Sequence, residues 1–435
     1  MFFLYSFLLT IGFLVLLPRF LFQNKYAAGL RQRFGNLPEF VQNERPVMWL
    51  HCVSVGETNA ARPLVKEIKE IFPEYRLVVS TTTKTGQNLA REVFAKDAEL
   101  IFYFPFDWKF TVHRVLKKIK PSVVLIMETE IWFNFVRETH KSGAKVFVVN
   151  GRLSEKSVDR YNWIPNTMRR VLHHIDLALM QTGTDAKRLL GLGSRNTKVK
   201  VTGNIKFDQA FDETESELTR ALRGRFAISK DEPLIVAAST HAPEEKWILQ
   251  AFKETWKNSK TNMPRLLIAP RHPERFAEVE ELITASGFDW AKRSEEASSR
   301  DRSAEVILLD SIGELRAVYP LAEIVFVGGS LIPRGGQSVL EPAIAECAIV
   351  TGFHTTNFTE VVKEFLARDA LVQLPKLAEK EIPVALAEVF SGLLKDAERR
   401  GKLAKNAFDV MKKNRGATEK TVEYIKSFLL TDGKI

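Results

Sequence analysis

The sequence predicts an α/β protein with two domains, each built around a doubly wound parallel sheet. From Pro46 onward, short apolar runs alternate with helical patterns, which is typical of βαβ units. The alternation lapses in the polar stretch "TGNIKFDQAFDETESE" and then begins again. A chain of 435 residues is also longer than one ordinary domain. We therefore expect two Rossmann-like halves that face a central cleft.

The apolar runs give the expected strands and domain limits. In the first half we expect strands at residues 47–53, 77–81, 100–104, 123–127, 146–149 and 177–180. In the second half we expect them at residues 234–238, 266–269, 306–309, 324–327, 348–351 and 371–374. The resulting domains cover residues 23–205 and 219–400, joined by a linker at residues 206–218. Helices in residues 401–435 are expected to pack back across both domains.

The N-terminus predicts a membrane-anchoring helix over residues 1–22. No charge precedes Arg19, and a helix of this length would span about 30 Å, the thickness of the hydrocarbon core. Basic residues at Arg19, Lys25, Arg31 and Arg33 predict that the body lies on the cytoplasmic side. A helix that lies on the membrane surface or docks a partner is the alternative. A cleaved signal is disfavoured because there is no basic n-region and no A-x-A site.

Composition excludes several classes of site without choosing a function. The net charge of +10 suits nucleic acid, anionic lipid or an acidic substrate equally well. Cys52 and Cys347 show no CxxC spacing, so we expect neither a zinc site nor a disulfide framework, and a reducing compartment fits best. GxGxxG, GxxxxGK[ST], HExxH and DxD are all missing from the sequence. A metal clamp of the DxD type is unsupported, and a one-phosphate donor held by Arg and backbone dipoles is favoured.

The first half and the start of the linker supply the candidate catalytic residues. Glu57 follows the first strand in "SVGE", at a helix start that favours an ionised carboxylate able to take a proton from a hydroxyl. A helix cap is the alternative role for Glu57. Glu128 and Glu130 end the fourth strand in "METE", either for chemistry or to hold basic loop residues. Lys206 follows "TGNI" where the two domains should meet, although a surface lysine has the same pattern.

The second half supplies candidate phosphate-binding loops. In "LLIAPRHPERF" an apolar strand ends at Arg271 and His272. The guanidinium of Arg271 is suited to binding a phosphate group, whereas His272 has the alternative role of packing against the core or capping the next helix. Gly313 and Glu314 stand at another helix start, where a ligand can approach the backbone. The stretch "VFVGGSLIPRGGQSVLEPA" has two glycine doublets before Glu341. We expect its backbone donors to bind phosphate and its carboxylate to bind ribose hydroxyls.

The ordered set of motifs resembles a known family, the 3-deoxy-D-manno-octulosonic acid (Kdo) transferases of lipopolysaccharide synthesis, which have the GT-B fold. The motifs span essentially the whole chain and include "RQRFG", "SVGE", "METEIW", "RLSEKS", "GNIKFD", "PRHPER", "FVGGSL", "GGQSVLEPA" and "HTTNF". The chain departs from the family pattern after the second glycine pair, where Gln337, Ser338 and Val339 replace His-Asn-Pro, and at Phe353.

The resemblance implies an inverting transfer of Kdo from CMP-Kdo to a lipid A precursor at the inner membrane, without a cofactor, a metal or a nucleic-acid partner. Glu57 would be the general base, while Glu128 and Lys206 would stabilise the transition state. The residues expected to bind CMP are Pro270, Arg271, His272, Gly313, Glu314, Gly329, Ser330, Ser338, Val339, Leu340 and Glu341. Alternatives are a GT-B transferase that uses another nucleotide sugar and a non-catalytic membrane module that binds lipopolysaccharide precursors.

Overall fold

The chain divides into two units. This computed structural model describes residues 2–22, 28–208, 216–229, 232–257 and 263–431. Unit 1 comprises Met1–Ala210 together with Asn414–Ile435, and unit 2 comprises Phe211–Lys413. Met1, Lys25 and residues 209–215 of the expected linker lie outside the described residues, as do residues 432–435.

Among the described residues, each unit contains a seven-stranded sheet. The strands of unit 1 are β1 (Val47–Cys52), β2 (Arg76–Thr81), β3 (Ala98–Tyr103), β4 (Val123–Met127), β5 (Lys145–Gly151), β6 (Leu177–Met180) and β7 (Val199–Val201). Those of unit 2 are β8 (Leu234–Thr240), β9 (Arg265–Pro270), β10 (Trp290–Lys292), β11 (Val306–Leu308), β12 (Ile324–Val327), β13 (Ala348–Thr351) and β14 (Val372–Gln373). All pairings among the described residues are parallel.

Helices connect the strands in both units. Those of unit 1 are α1 (Phe2–Phe22), α2 (Leu30–Arg33), α3 (Val55–Ile71), α4 (Lys84–Val93), α5 (Lys109–Ile119), α6 (Phe133–Lys141), α7 (Glu155–Asn162), α8 (Pro165–His173) and α9 (Gly183–Gly191). Next along the chain come α10 (Glu217–Phe226), α11 (Glu244–Lys257), α12 (Phe276–Ser286), α13 (Leu315–Val318), α14 (Leu340–Ile344), α15 (Thr359–Leu366), α16 (Ile382–Lys395), α17 (Ala397–Asn414) and α18 (Ala417–Thr431). Single turns of 3-10 helix include Ile205–Asp208 and Pro273–Arg275.

The strand order places a reversal point in each sheet. In unit 1 the order is β3-β2-β1-β4-β5-β6-β7, and in unit 2 it is β10-β11-β9-β8-β12-β13-β14. Ligands of doubly wound sheets bind beyond the carboxyl ends of the strands at the point where the order reverses. That point lies between β1 and β4 in unit 1, and between β8 and β12 in unit 2. The loops after these four strands are therefore the first places to look for chemistry.

Burial on both faces fixes the unit 1 sheet between two apolar layers. Val47 and Trp49 of β1 belong to one core cluster, whereas Met48 and Leu50 belong to the other. Alternation between faces follows from the two-residue period of a strand. Because each buried side chain of this size contributes about 1.5–3 kcal/mol, the β1 register is strongly determined. The end of β1, and with it the Glu57 loop, is held in place by this packing.

The C-terminal helix belongs to unit 1. Ala417, Val422 and Ile425 of α18 join the same core cluster as Ala61 and Val65 of α3. The first turn of α18 is capped by Asp208, whose carboxylate accepts hydrogen bonds from the N–H groups of Gly416 at 2.6 Å and Thr418 at 2.5 Å. The last helix of the chain therefore braces the segment that contains Lys206.

The N-terminal helix α1 binds unit 1 along one face. Tyr5 Oη donates to Asp107 Oδ2 at 2.9 Å, and Trp108 Nε1 donates to Thr10 Oγ1 at 3.0 Å. The ring of Phe13 packs edge-on against Trp108, with centroids 5.0 Å apart. Within the described part of the chain, no helix combines the length and the apolar character needed to cross a bilayer. The spanning anchor expected at residues 1–22 is not supported, and the helix there is docked on the protein.

Candidate active site

The loop after β1 carries Glu57 on the first turn of α3. Ser54 is the N-cap of α3, with its hydroxyl oxygen accepting from the Glu57 N–H. Glu57 Oε2 in turn accepts a hydrogen bond from the Val53 N–H at 2.7 Å, and Oε1 accepts one from Ser54 Oγ at 3.2 Å. The capping role considered for Glu57 is thus present in the structure. Capping and proton transfer are compatible, because the same contacts fix the orientation of the carboxylate.

Burial and neighbouring carboxylates raise the pKa of Glu57. Its residue surface is only 7% exposed. Burial and the charge of Glu128 raise the pKa of Glu57 to about 8, and the charge of Glu130 contributes to this rise. The hydrogen bonds from the Val53 N–H and the Ser54 hydroxyl act in the opposite direction and lower the pKa. A carboxyl group with a pKa near the working pH can both accept and release a proton. Glu57 follows β1, and Glu128 and Glu130 follow the neighbouring strand β4, so the three carboxylates lie at the reversal point of the unit 1 sheet.

The loop after β4 holds Glu128 in an unusual backbone conformation. Glu128 has a φ of 53°, a left-handed conformation that non-glycine residues seldom adopt. Its N–H continues the sheet by donating to the Val149 carbonyl oxygen at 2.9 Å. The neighbouring residue Thr129 accepts from the Arg152 N–H at 2.8 Å, so the loop is bound to the end of β5. Strain of this kind persists where the surroundings over-determine a conformation, often at functional sites.

Lys206 forms an ion pair with Glu128. Lys206 Nζ lies 3.2 Å from Glu128 Oε1, and their side chains are 15% and 23% exposed. Asn150, buried at the end of β5 with a φ of 55°, accepts the Ile205 N–H on its side-chain oxygen at 3.0 Å. Asn204 Oδ1 accepts the Lys206 N–H at 3.0 Å. Two side-chain amides therefore position the backbone that presents Lys206 to Glu128.

The glycine-rich loop after β12 is organised by a carboxylate that the sequence reasoning missed. Glu244, at the start of α11, accepts the N–H groups of Gly329 at 2.7 Å, Ser330 at 3.0 Å and Leu331 at 2.9 Å. The expected phosphate donors of Gly329 and Ser330 are thus engaged within the protein. Gly328 allows the loop to pass close to β8, because an added Cβ would lie 2.6 Å from the Ser239 carbonyl oxygen.

The loop after β9 exposes the expected cation. Pro270 is the buried last residue of β9, whereas Arg271 and His272 are exposed. The Arg271 N–H donates to the Thr240 carbonyl oxygen at 3.0 Å, which ties this loop to the end of β8. The ring of His272 lies edge-on to that of His241, with centroids 5.2 Å apart. His241, which the sequence reasoning did not select, follows β8 and so joins the same edge of the sheet.

The remaining residues of unit 2 that were expected to bind the donor fall into two groups. Gly313 has a φ of 86° with open space where a Cβ would lie, and Glu314 is held in a two-point ion pair by Arg293. In the second group, Val339 and Leu340 are buried, so only their backbone can contact a ligand. Burial raises the pKa of Glu341, and the charge of Arg316 partly offsets this rise. Among the described residues, no group of His, Cys, Asp and Glu side chains is arranged to hold a metal ion.

Comparison with known proteins gives the family. The family model for 3-deoxy-D-manno-octulosonic-acid transferases matches residues 28–209. A 3-deoxy-D-manno-octulosonic acid transferase of Haemophilus influenzae is 32% identical over 406 residues, which cover 93% of this chain and 92% of that protein. One of Chlamydia trachomatis is 30% identical over 431 residues, covering 98% and 96%.

A solved structure agrees with the fold. The putative UDP-N-acetylglucosamine 2-epimerase of Listeria monocytogenes superposes with a TM-score of 0.59 at 16% identity, covering 89% of this chain and 97% of that one. At that identity the likeness shows the fold alone, which is two parallel-sheet α/β domains of GT-B type. The residues of "SVGE", "METE" and "NIKFD" lie within the matched family region. With a relative of 32% identity over nearly its whole length, the chain belongs to the 3-deoxy-D-manno-octulosonic acid transferase family and is a glycosyltransferase.

Proposed function

We propose that the protein transfers Kdo from CMP-Kdo to a hydroxyl group of a lipid A precursor, with inversion, at the cytoplasmic face of the inner membrane. The observation that carries the proposal is the group formed by Glu57, Glu128 and Lys206 at the reversal point of the unit 1 sheet. This group lies in a chain whose relatives over nearly the full length are named as Kdo transferases.

Glu57 is the proposed general base. In its ionised form the carboxylate takes the proton of the acceptor hydroxyl as that oxygen bonds to the anomeric carbon, and the bond from this carbon to the CMP phosphate breaks. The hydrogen bonds from Val53 and Ser54 orient the carboxylate before substrate binds. CMP leaves with the electron pair of the broken bond, and the captured proton is released from Glu57 to solvent.

Glu128 and Lys206 are proposed to stabilise the transition state. Transfer of Kdo builds positive charge at the anomeric carbon while the sugar keeps its own carboxylate. A paired carboxylate and ammonium can interact with both charges, and they are fixed before reaction by the strained Glu128 backbone and by Asn150. Fixed charges in a half-buried site stabilise a transition state more than mobile charges in water do.

Unit 2 is the proposed donor-binding unit. Exposed Arg271 can bind the CMP phosphate, and the turn at Gly313 is open to close backbone approach. The backbone of Ser338, Val339 and Leu340 and the carboxyl group of Glu341 are proposed to bind the nucleoside. The N–H groups of Gly329 and Ser330 are already bound to Glu244, so these residues contribute loop shape rather than phosphate donors.

Helix α1 is proposed to lie on an anionic lipid surface. Its face opposite the Tyr5 and Thr10 contacts exposes large apolar side chains, which are Leu4, Phe7, Leu8, Ile11, Leu14 and Val15. A soluble protein seldom leaves such a patch uncovered. The net charge of +10 complements an anionic membrane, and the proposed acceptor is itself an anionic lipid. Contacts along two turns of α1 hold it flat against unit 1, which fits an interfacial helix.

Product analysis tests the proposed reaction. Wild-type protein is incubated with CMP-Kdo and a lipid A precursor in detergent, and the lipid product is examined by mass spectrometry. We expect the acceptor mass to increase by whole Kdo residues, with Glu57→Gln giving none. An unchanged acceptor with wild-type protein, in the presence of bound CMP-Kdo, would refute the transferase assignment for this acceptor. Thermal shifts with CMP and UDP then show which nucleotide the protein binds.

Vesicle binding tests the membrane proposal. The full chain should sediment with vesicles of phosphatidylethanolamine and phosphatidylglycerol, and the double variant Leu8→Glu, Ile11→Glu should remain in solution. Val384→Glu is the matched control, because Val384 is also an exposed apolar residue on a helix. Equal sedimentation of the double variant and the control would contradict the interfacial role of α1.

A further inference from the structure

Two consecutive carboxylates, Glu244 and Glu245, lie at the centre of unit 2. They begin α11, which follows β8 after the short loop at residues 241–243, and both are fully buried at 0% exposure. Buried carboxylates require partners for both oxygens. Apart from the His241 N–H in the loop after β8 itself, the partners of this pair come from the loops that follow the two neighbouring strands.

Glu244 binds the loop after β12. Both of its oxygens are engaged, Oε1 by the N–H groups of Ser330 and Leu331 and Oε2 by those of Gly329 and His241. Hydrogen bonds from four backbone donors fill the concave loop that would otherwise be open to an anion. Because Glu244 is completely covered, it has no surface with which to touch a substrate and acts only through the loop.

Glu245 binds the loop after β9. Arg275 donates to both of its oxygens, with Nη1 at 2.5 Å and Nη2 at 3.1 Å. The same guanidinium binds Glu278 on α12 through Nε and Nη2. Arg275 ends the 3-10 turn that follows Arg271 and His272, so a two-point ion pair fixes the shape of this loop.

The sheet order explains why adjacent residues can hold two separate loops. The neighbours of β8 are β9 on one side and β12 on the other. Successive residues at the start of α11 can therefore reach in opposite directions along the sheet edge. From these contacts we infer that Glu244 and Glu245 are positioning residues that hold the Arg271 loop and the Gly329 loop in the arrangement that binds the nucleotide donor. This inference rests on the proposed donor role of unit 2.

The inference predicts a selective loss of donor affinity. Glu244→Gln replaces one oxygen acceptor by an NH2 group that faces backbone N–H donors, so the Gly329 loop should be released. We expect the KM for CMP-Kdo to rise about tenfold or more, while the KM for the lipid acceptor stays within about twofold. Glu245→Gln should give the same pattern through the Arg271 loop.

Glu278→Gln is the matched control. Glu278 binds the same Arg275 guanidinium as Glu245 does, but its side chain is 51% exposed. Its loss leaves the two-point pair with Glu245 intact, so the KM for CMP-Kdo should remain within about twofold of the wild-type value.

The outcomes separate the inference from the proposed function. A wild-type protein that neither binds nor uses CMP-Kdo would refute the proposed donor. If the wild-type protein uses CMP-Kdo, two results overturn the positioning role. One is an unchanged KM for CMP-Kdo in both glutamine variants, and the other is an equal rise in the KM for donor and acceptor. If Glu244→Gln does not fold, amide exchange of the wild-type protein decides: slow exchange at residues 329–331 without nucleotide supports the role, and rapid exchange there refutes it.

Discussion

Lys206 and Glu128 are 78 positions apart in the sequence, yet Lys206 Nζ donates to Glu128 Oε1 at 3.2 Å. Each comes from a different part of the unit 1 fold, Glu128 from the end of β4 and Lys206 from the 3-10 turn after β7. Neither partner is fully buried, with 15% and 23% of the side chains exposed. The pair is therefore accessible to a substrate while its geometry is fixed by the surrounding backbone contacts.

Replacing Lys206 by methionine should abolish most turnover without unfolding the protein. Loss of one fixed charge at a developing transition state lowers kcat by about 10²–10³. The fold should survive with a lower Tm, because the change leaves the Glu128 carboxylate, only 23% exposed, without its cation. Steady-state kinetics and thermal unfolding check both parts. Lys66→Met is the control, since Lys66 is an exposed lysine of α3. Equal turnover in Lys206→Met and Lys66→Met would show that Lys206 is not part of the proposed catalytic group.

The positions of the candidate site residues in unit 1 could be predicted from sequence because these residues follow recognisable strands. The strand expected at residues 123–127 is confirmed as Val123–Met127, and the one expected at 47–53 ends one residue earlier, at Cys52. The three-residue strands β7 and β10 were missed. Such short edge strands lack the apolar run that identifies a buried strand.

Positioning residues were harder to predict, because their partners are distant in the chain. Asn150 binds a backbone N–H 55 positions away, and Asp208 binds one 208 positions away. Glu244 lies in "HAPEEKW", where an acidic helix start predicts only capping. Its contacts with Gly329 and Ser330 depend on β8 and β12 being neighbours, which no local pattern shows.

The pH dependence of turnover should report the ionisation of Glu57. Its pKa is raised to about 8, chiefly by burial and by Glu128. Since the ionised form of Glu57 is the proposed base, kcat/KM should rise as the pH rises and level off above about 8. Glu130 also raises the pKa of Glu57, so Glu130→Gln should move the rising limb to lower pH. The matched comparison is Glu155→Gln, an exposed carboxylate of α7. An identical pH profile in Glu130→Gln and wild type would contradict the coupling between Glu130 and Glu57, and a wild-type kcat/KM that stays constant between about pH 6 and pH 8 would exclude Glu57 as the titrating base.

The raised pKa of Glu57 also predicts how the free energy of unfolding depends on pH. Because its folded pKa lies above the ordinary value of 4.5, the ionised form is disfavoured in the fold. The contribution of Glu57 to the free energy of unfolding is therefore fully present below the pKa of Glu57 in the unfolded chain, and it is lost as the pH rises through about 8. Glu57→Gln cannot ionise, so its Tm relative to wild type should increase between pH 6 and pH 9. A constant Tm difference over this range, measured by calorimetry, would contradict the raised pKa.

Removal of the Asp208 carboxylate should loosen the C-terminal helix. Asp208 accepts from the N–H groups of Gly416 and Thr418 and from Thr418 Oγ1, so Asp208→Ala leaves the first turn of α18 uncapped. A lost cap costs about 0.5–2 kcal/mol. We expect a lower Tm and faster proteolytic removal of the chain end after α17. Asp409→Ala is the control, because Asp409 is exposed on α17. Equal proteolysis of the two variants would show that Asp208 does not brace α18.

Gly328→Ala should destabilise unit 2 by overpacking at the start of the glycine-rich loop. An added Cβ would lie 2.6 Å from the Ser239 carbonyl oxygen and 2.7 Å from Thr240 Cα, both of which are backbone atoms that cannot turn aside. Displacement of the backbone costs about 1–3 kcal/mol and also shifts Gly329 away from Glu244. Chemical denaturation measures the free energy of unfolding. Gly392→Ala, on a helix with no atom within 4 Å of the added Cβ, should instead gain about 0.5–1 kcal/mol. A Gly328→Ala protein as stable as Gly392→Ala would mean that β8 and the loop after β12 do not approach each other as closely as the structure shows.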